Sequence, residues 1–69
     1  MELKNKIKVF RAEKNITQEE LGTACKLSRQ TVNSIENGKF VPSVITALKI
    51  AAYFKVNVED IFQFINKDK

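Results

Sequence analysis

A chain of 69 residues can bury one small hydrophobic core and little more. Its 12 Lys+Arg against 8 Asp+Glu leave a formal net charge of +4, which attracts polyanions without choosing among DNA, RNA and acidic lipid. A single Cys and no His exclude an intramolecular disulfide and argue against a His/Cys metal site, and the lysines within residues 1–14 exclude a secretory apolar region there.

Taken in order, Leu3, Ile7 and Phe10 form an apolar stripe among lysines and predict helix 1 from about Glu2 to Lys14. Arg11 follows Ile7 by one turn, so it borders the buried side. Asn15-Ile16 is the break, since asparagine tolerates the left-handed conformation that ends helices. Thr17-Gln18-Glu19-Glu20 is a capping box: the Thr17 hydroxyl can accept from the Glu20 N–H while the Glu20 carboxylate reaches back. It opens helix 2, Thr17–Lys26, with Leu21 and Cys25 inward at i, i+4. Ser28 caps helix 3, Ser28–Asn37, whose Val32 and Ile35 face inward and place Glu36 at the edge of the buried face. Gln30, Asn33, Ser34 and Asn37 project the other way. That face is polar, rich in donors and acceptors and free of carboxylates, which suits base edges.

Gly38 ends helix 3, and Pro42 keeps Lys39-Phe40-Val41-Pro42 from continuing it. Ser43 caps helix 4, read with Val44, Ala47, Leu48, Ala51 and Phe54 on its inner side and Val56 just beyond. Asn57 caps a short helix 5 with Asp60 at its third position, and Ile61 and Phe62 as its apolar contacts. Phe64 and Ile65 precede a charged tail. There are no repeats, no low-complexity linker and no strand-like alternation of useful length. The expectation is an all-α, compact five-helix bundle forming a single domain over residues 1–69. Val44–Phe54, the longest apolar stretch, is broken by Lys49 and too short to span a bilayer, so a cytoplasmic protein with no membrane partner is expected.

Chemistry beyond binding has little support. Cys25, one turn after Leu21, reads as a buried, inert thiol rather than a redox sensor. Glu59 and Asp60 are neighbours that do not face one another on a helix, and acids are at home in a first turn. Ser28, Ser34 and Ser43 have no base partner. No enzyme activity, metal or cofactor is expected. Ile61, Phe62, Phe64 and Ile65 together exceed what one short helix can bury in so small a core, so a dimer interface is read among them, with spacing leaving open which are core and which interface.

The ordered set Thr17-Gln18-Glu19-Glu20-Leu21, Ser28-Arg29-Gln30-Thr31-Val32, Ile35-Glu36-Asn37-Gly38-Lys39 and Pro42-Ser43, closed by Val56-Asn57-Val58-Glu59-Asp60-Ile61-Phe62, resembles the phage-repressor (Xre/Cro) type of helix-turn-helix. The resemblance covers nearly the whole chain, with residues 17–37 as the helix-turn-helix proper. It implies a lambda-repressor-like fold that binds double-stranded DNA as a homodimer on a near-palindromic operator, helix 3 lying in the major groove, and a repressor is the first expectation. An antitoxin or other interaction module with secondary DNA binding is the alternative. No small-molecule effector and no effector domain beyond helix 5 are expected.

The same resemblance assigns base contacts to Arg29, Gln30, Asn33 and Ser34, and backbone contacts to Gln18, Lys26, Thr31, Asn37 and Lys39. It pairs Arg11 with Glu36 as a structural bridge between helices 1 and 3. Lys26 and Lys55 stand where the family commonly has glycine, so if the turns keep the family geometry both lysines take positive φ. Gly22 replaces a common alanine, which keeps close packing but weakens the helix by about 1 kcal/mol.

Overall fold

A computed structural model describes residues 2–65 as five helices and one two-stranded sheet. Strand β1 (Glu2–Asn5) leads into α1 (Ile7–Lys14), α2 (Gln18–Cys25), α3 (Arg29–Glu36), α4 (Val44–Phe54) and α5 (Val58–Ile61), and β2 (Phe62–Ile65) follows. The five helices agree with expectation. The sheet corrects it.

Residues 2–5 are strand rather than the start of helix 1, because they pair antiparallel with residues 62–65: Leu3 lies opposite Phe64 and Asn5 opposite Phe62. Four-residue strands are too short to show an alternation, and each is stabilised by the opposite end of the chain. At the strand's end, Asn5 Oδ1 accepts the Ile7 N–H at 3.2 Å and the Lys6 N–H donates to the Ile61 carbonyl at 2.8 Å. Helix α1 therefore cannot start before Ile7.

The helix ends follow one scheme. Thr17, Ser28 and Ser43 each accept from the N–H three residues on, at 3.0, 3.0 and 3.1 Å. The Glu20 carboxylate completes the capping box by accepting from the Thr17 N–H at 2.8 Å, and Asp60 accepts likewise from Asn57 at 2.9 Å. At the far ends, Asn15, Lys26, Gly38 and Lys55 take the left-handed conformation, with φ of 59°, 61°, 75° and 60°. The next N–H then bonds five residues back, Ile16 to Arg11, Leu27 to Gly22, Lys39 to Ser34 and Val56 to Ala51. Orphan carbonyls at four helix ends are thereby satisfied.

The core collects Ile7, Leu21, Cys25, Val32, Ile35, Ile50, Ala51, Phe54, Ile61 and Phe62. Phe10 stacks at a tilt on Phe54, ring centres 5.5 Å apart. Burial and the loss of hydration it brings push the Cys25 thiol up, with nearby Lys49 opposing, which fits an inert thiol. Helix α4 departs from the sequence reading. Its inner stripe is Ala47, Ile50, Ala51 and Phe54, while Val44 and Leu48 are exposed. Apolar residues surround most of α4, so periodicity alone does not fix which stripe turns inward. Of the four C-terminal apolar residues, Ile61 and Phe62 are buried within the monomer and belong to its core, whereas Phe64 is exposed. Among the described residues no helix is long and apolar enough to cross a membrane.

Gly22 is tighter than close packing alone suggests. A Cβ built there would lie 2.5 Å from the Leu27 carbonyl oxygen, because the turn folds back over α2. Gly22→Ala should therefore destabilise by roughly 1–3 kcal/mol despite alanine's better helix propensity. Lys55→Gly removes a left-handed strain of about 1 kcal/mol but loosens the unfolded chain by a similar amount, so it should shift stability by less than about 1 kcal/mol. Urea denaturation of the two variants checks the contrast.

Candidate nucleic-acid interface

The site begins inside the molecule. Glu36, on the last turn of α3, has a side chain only 1% exposed, and Arg11 of α1 meets it at 16% exposure. Arg11 Nε donates to Glu36 Oε2 at 2.6 Å and Nη2 to Oε1 at 3.2 Å, while Nη1 donates to the Ile16 carbonyl at 3.0 Å. The hydrogen bond and the attraction of the carboxylate hold the Arg11 pKa above its ordinary value, against burial. One bidentate pair thus ties α1, the α1–α2 loop and α3 together.

A polar chain runs outward from this pair. Gln18 Nε2 donates to Glu36 Oε1 at 3.1 Å, Asn33 Nδ2 donates to Gln18 Oε1 at 3.4 Å, and Asn37 Nδ2 donates to Asn33 Oδ1 at 2.8 Å. Gln18 sits at the first position of α2, after the Thr17 cap, so the start of α2 and the outer face of α3 are linked by side chains. Beneath α3's far end, Asn5 Nδ2 donates to the Ile35 carbonyl at 2.9 Å and, more weakly, to that of Glu36 at 3.5 Å. Sequence reasoning missed Asn5. Its one signal was an asparagine two residues before an inward isoleucine, a helix-start pattern that the longer helix assignment hid.

Gln18, Arg29, Gln30 and Asn33 line one shallow depression, and Gln30, Thr31, Ser34, Lys39 and Phe40 line the next. Gln30 is common to both and lies between them. Arg29, Gln30 and Asn33 are exposed, Ser34 is half-buried, and Thr31 is half-buried with its hydroxyl bonded to Ser28 at 2.9 Å. Asn37 is exposed and joined to Asn33. Lys26 is not brought to this face; it lines a separate depression with Cys25, Lys49 and Tyr53. The first turn of α3 carries no acid, and its only carboxylate, Glu36, is held by Arg11. What remains outward is a cationic and amide surface that can donate to phosphate and pair with base edges.

A family model described as Helix-turn-helix (HTH_3) matches residues 7–61. An uncharacterised HTH-type transcriptional regulator of Methanocaldococcus jannaschii is 52% identical over 60 residues, spanning 87% of this chain and 91% of the relative. Among solved structures, a protein of Bacteroides fragilis assigned as DNA-binding superposes with a TM-score of 0.78 at 28% identity, over 88% of this chain and 98% of its own. The restriction-modification controller protein C.AhdI of Aeromonas hydrophila superposes at 0.72 and 26% identity, with 78% of each chain covered.

The buried pair generates a test of its own. Arg11→Ala strands the Glu36 carboxylate with Gln18 as its remaining partner and should cost about 3–5 kcal/mol. Replacing both residues by apolar ones of similar volume should cost clearly less, and a double-mutant cycle in urea should give a coupling energy well above the about 1 kcal/mol of an exposed pair.

Proposed function

Because the chain belongs to the HTH_3 helix-turn-helix family, whose members here are transcriptional regulators with a DNA-binding helix-turn-helix, we propose that it represses transcription as a homodimer on a near-palindromic operator. The observation that carries this reading is the exposed face of α3, where Gln30 sits between two shallow depressions that no carboxylate lines. In this reading α3 enters the major groove, and each half-site lies about 34 Å from its partner, one turn of DNA. Occupying an operator that overlaps a promoter then blocks polymerase.

Arg29, Gln30 and Asn33 read bases: a guanidinium pairs with guanine, and side-chain amides pair with adenine. Ser34, half-buried, contributes from the edge of the same face. Thr31, Asn37 and Lys39 take backbone contacts around it. Gln18 is bonded on both sides by Glu36 and Asn33, so its share is to hold Asn33 in place and to offer a phosphate its remaining amide hydrogen and its main-chain N–H. Lys26 adds positive charge from the turn before α3.

Selection from a random DNA pool at stated salt should return a near-palindrome with half-sites about one turn apart. Gln30→Ala should then relax preference at one base pair per half-site, at a cost of roughly 1–3 kcal/mol. Lys39→Ala should weaken all sequences alike and flatten the salt dependence by about one unit of slope. A Gln30→Ala protein with unaltered base preference would remove that residue from the readout.

A further inference from the structure

A groove of about 500 Å³ lies at the C-terminal end of α3. Leu3 and Phe62 of the sheet form one wall, and Phe40, Val41 and Pro42 of the α3–α4 loop form the other. Opposite residues of an antiparallel pair share a face, so Leu3, Asn5, Phe62 and Phe64 all lie on the sheet side that meets the body. Phe62 is buried there, whereas Phe64, one step further along β2, stands 73% exposed. A recess and a projecting aromatic ring thus lie side by side. Val41 at 69% exposure leads, three residues on, to Val44 at 75%, and Ile45 and Leu48 share that side of α4.

From this we propose that the groove and the flanking Val44–Ile45–Leu48 stripe are the surface on which a second copy of the chain docks, Phe64 of each copy entering the groove of the other. The inference rests on the homodimer reading above and names its interface. Three observations favour a second copy over another occupant. A two-fold contact uses one patch twice, so that patch must hold both a protrusion and the hollow that receives it, and this one does. Residues 40–48 carry no ionisable side chain in a chain of net charge +4. Over residues 40–48 two identical basic molecules can therefore meet without opposing like charges. Of the groove's lining, the charged members are Lys4 and the Glu36 already taken by Arg11. Lastly, Asn37 and Gly38 line the groove, so a symmetry axis there sets the two α3 helices end to end beside it, with their outer faces free.

Sedimentation equilibrium of the full chain and of Phe64→Ser, Val41→Lys and Ile45→Lys tests the surface, with Val9→Lys, an exposed apolar position on α1, as control. Each of the three should weaken dimerisation at least tenfold while helical circular dichroism and melting stay near those of the parent, and Val9→Lys should leave association unchanged. The same three should still prefer the parent's half-site sequence, with lower occupancy of the full operator. A dimer unaffected by all three overturns the proposed surface and leaves the homodimer standing. A parent chain that is monomeric at high concentration, free and on operator DNA, overturns both. Val41→Lys and Phe64→Asp, each weakened alone, should recover association when mixed, because the mixed dimer sets the two opposite charges against each other in one groove and keeps the parent contact in the other, and this separates a contact across the interface from a local loss of folding.

Discussion

The orientation of α3 depends on one ion pair. Arg11 and Glu36 join the first helix to the last turn of the third, and the Ile16 carbonyl and Gln18 amide complete their hydrogen bonds. A carboxylate with 1% of its side chain exposed is tolerated only because a guanidinium meets it with two bonds. The pair adds little net energy over an apolar substitute, but it has only one geometry. It fixes the rotation of α3 about its own axis, and therefore which residues look outward. From it the chain Gln18, Asn33, Asn37 carries that constraint to the surface, so side chains facing solvent are held from below before any ligand arrives.

Much of the scaffold was legible because its signals are local. The Thr17, Ser28 and Ser43 caps and the Asn15 and Gly38 ends are written in a few neighbouring residues, and a helix boundary needs no information from elsewhere. Lys26 and Lys55 are different. Lysine has no preference for positive φ, so their left-handed turns followed only from the resemblance to the phage-repressor type, whose glycines they replace. The partnership of Arg11 with Glu36 came the same way: helical angles put each residue at the edge of a buried face but could not say that the edges meet.

What was illegible depends on tertiary partners. The strands exist because residues 2–5 and 62–65 find each other across the whole chain, and neither tetrapeptide announces it. A reading without the sheet puts Leu3 on a helix, gives Asn5 no role, and leaves undivided the four apolar residues of which the core claims Ile61 and Phe62. On α4 nearly every position is apolar, and only packing against α2 and α5 decides that Ile50 rather than Leu48 turns inward. The outward face of α3 was visible from angles alone, but the depressions that divide it, and the place of Gln30 between them, needed the α3–α4 loop in position.

The pairing of β1 with β2 also sets the order in which rigidity is acquired. The helix-turn-helix is built from contacts near in sequence, whereas the sheet closes a loop containing almost the whole chain, an entropic step that grows only slowly with length but is unrewarded until both ends meet. Asn5 hangs from that closure, and through its bond to the Ile35 carbonyl so does the support under the end of α3. The two ends act as a clasp. While it is open, α3 can be fully formed and still lack its last fixed point, so a change at either extremity reaches a surface that the extremities never touch.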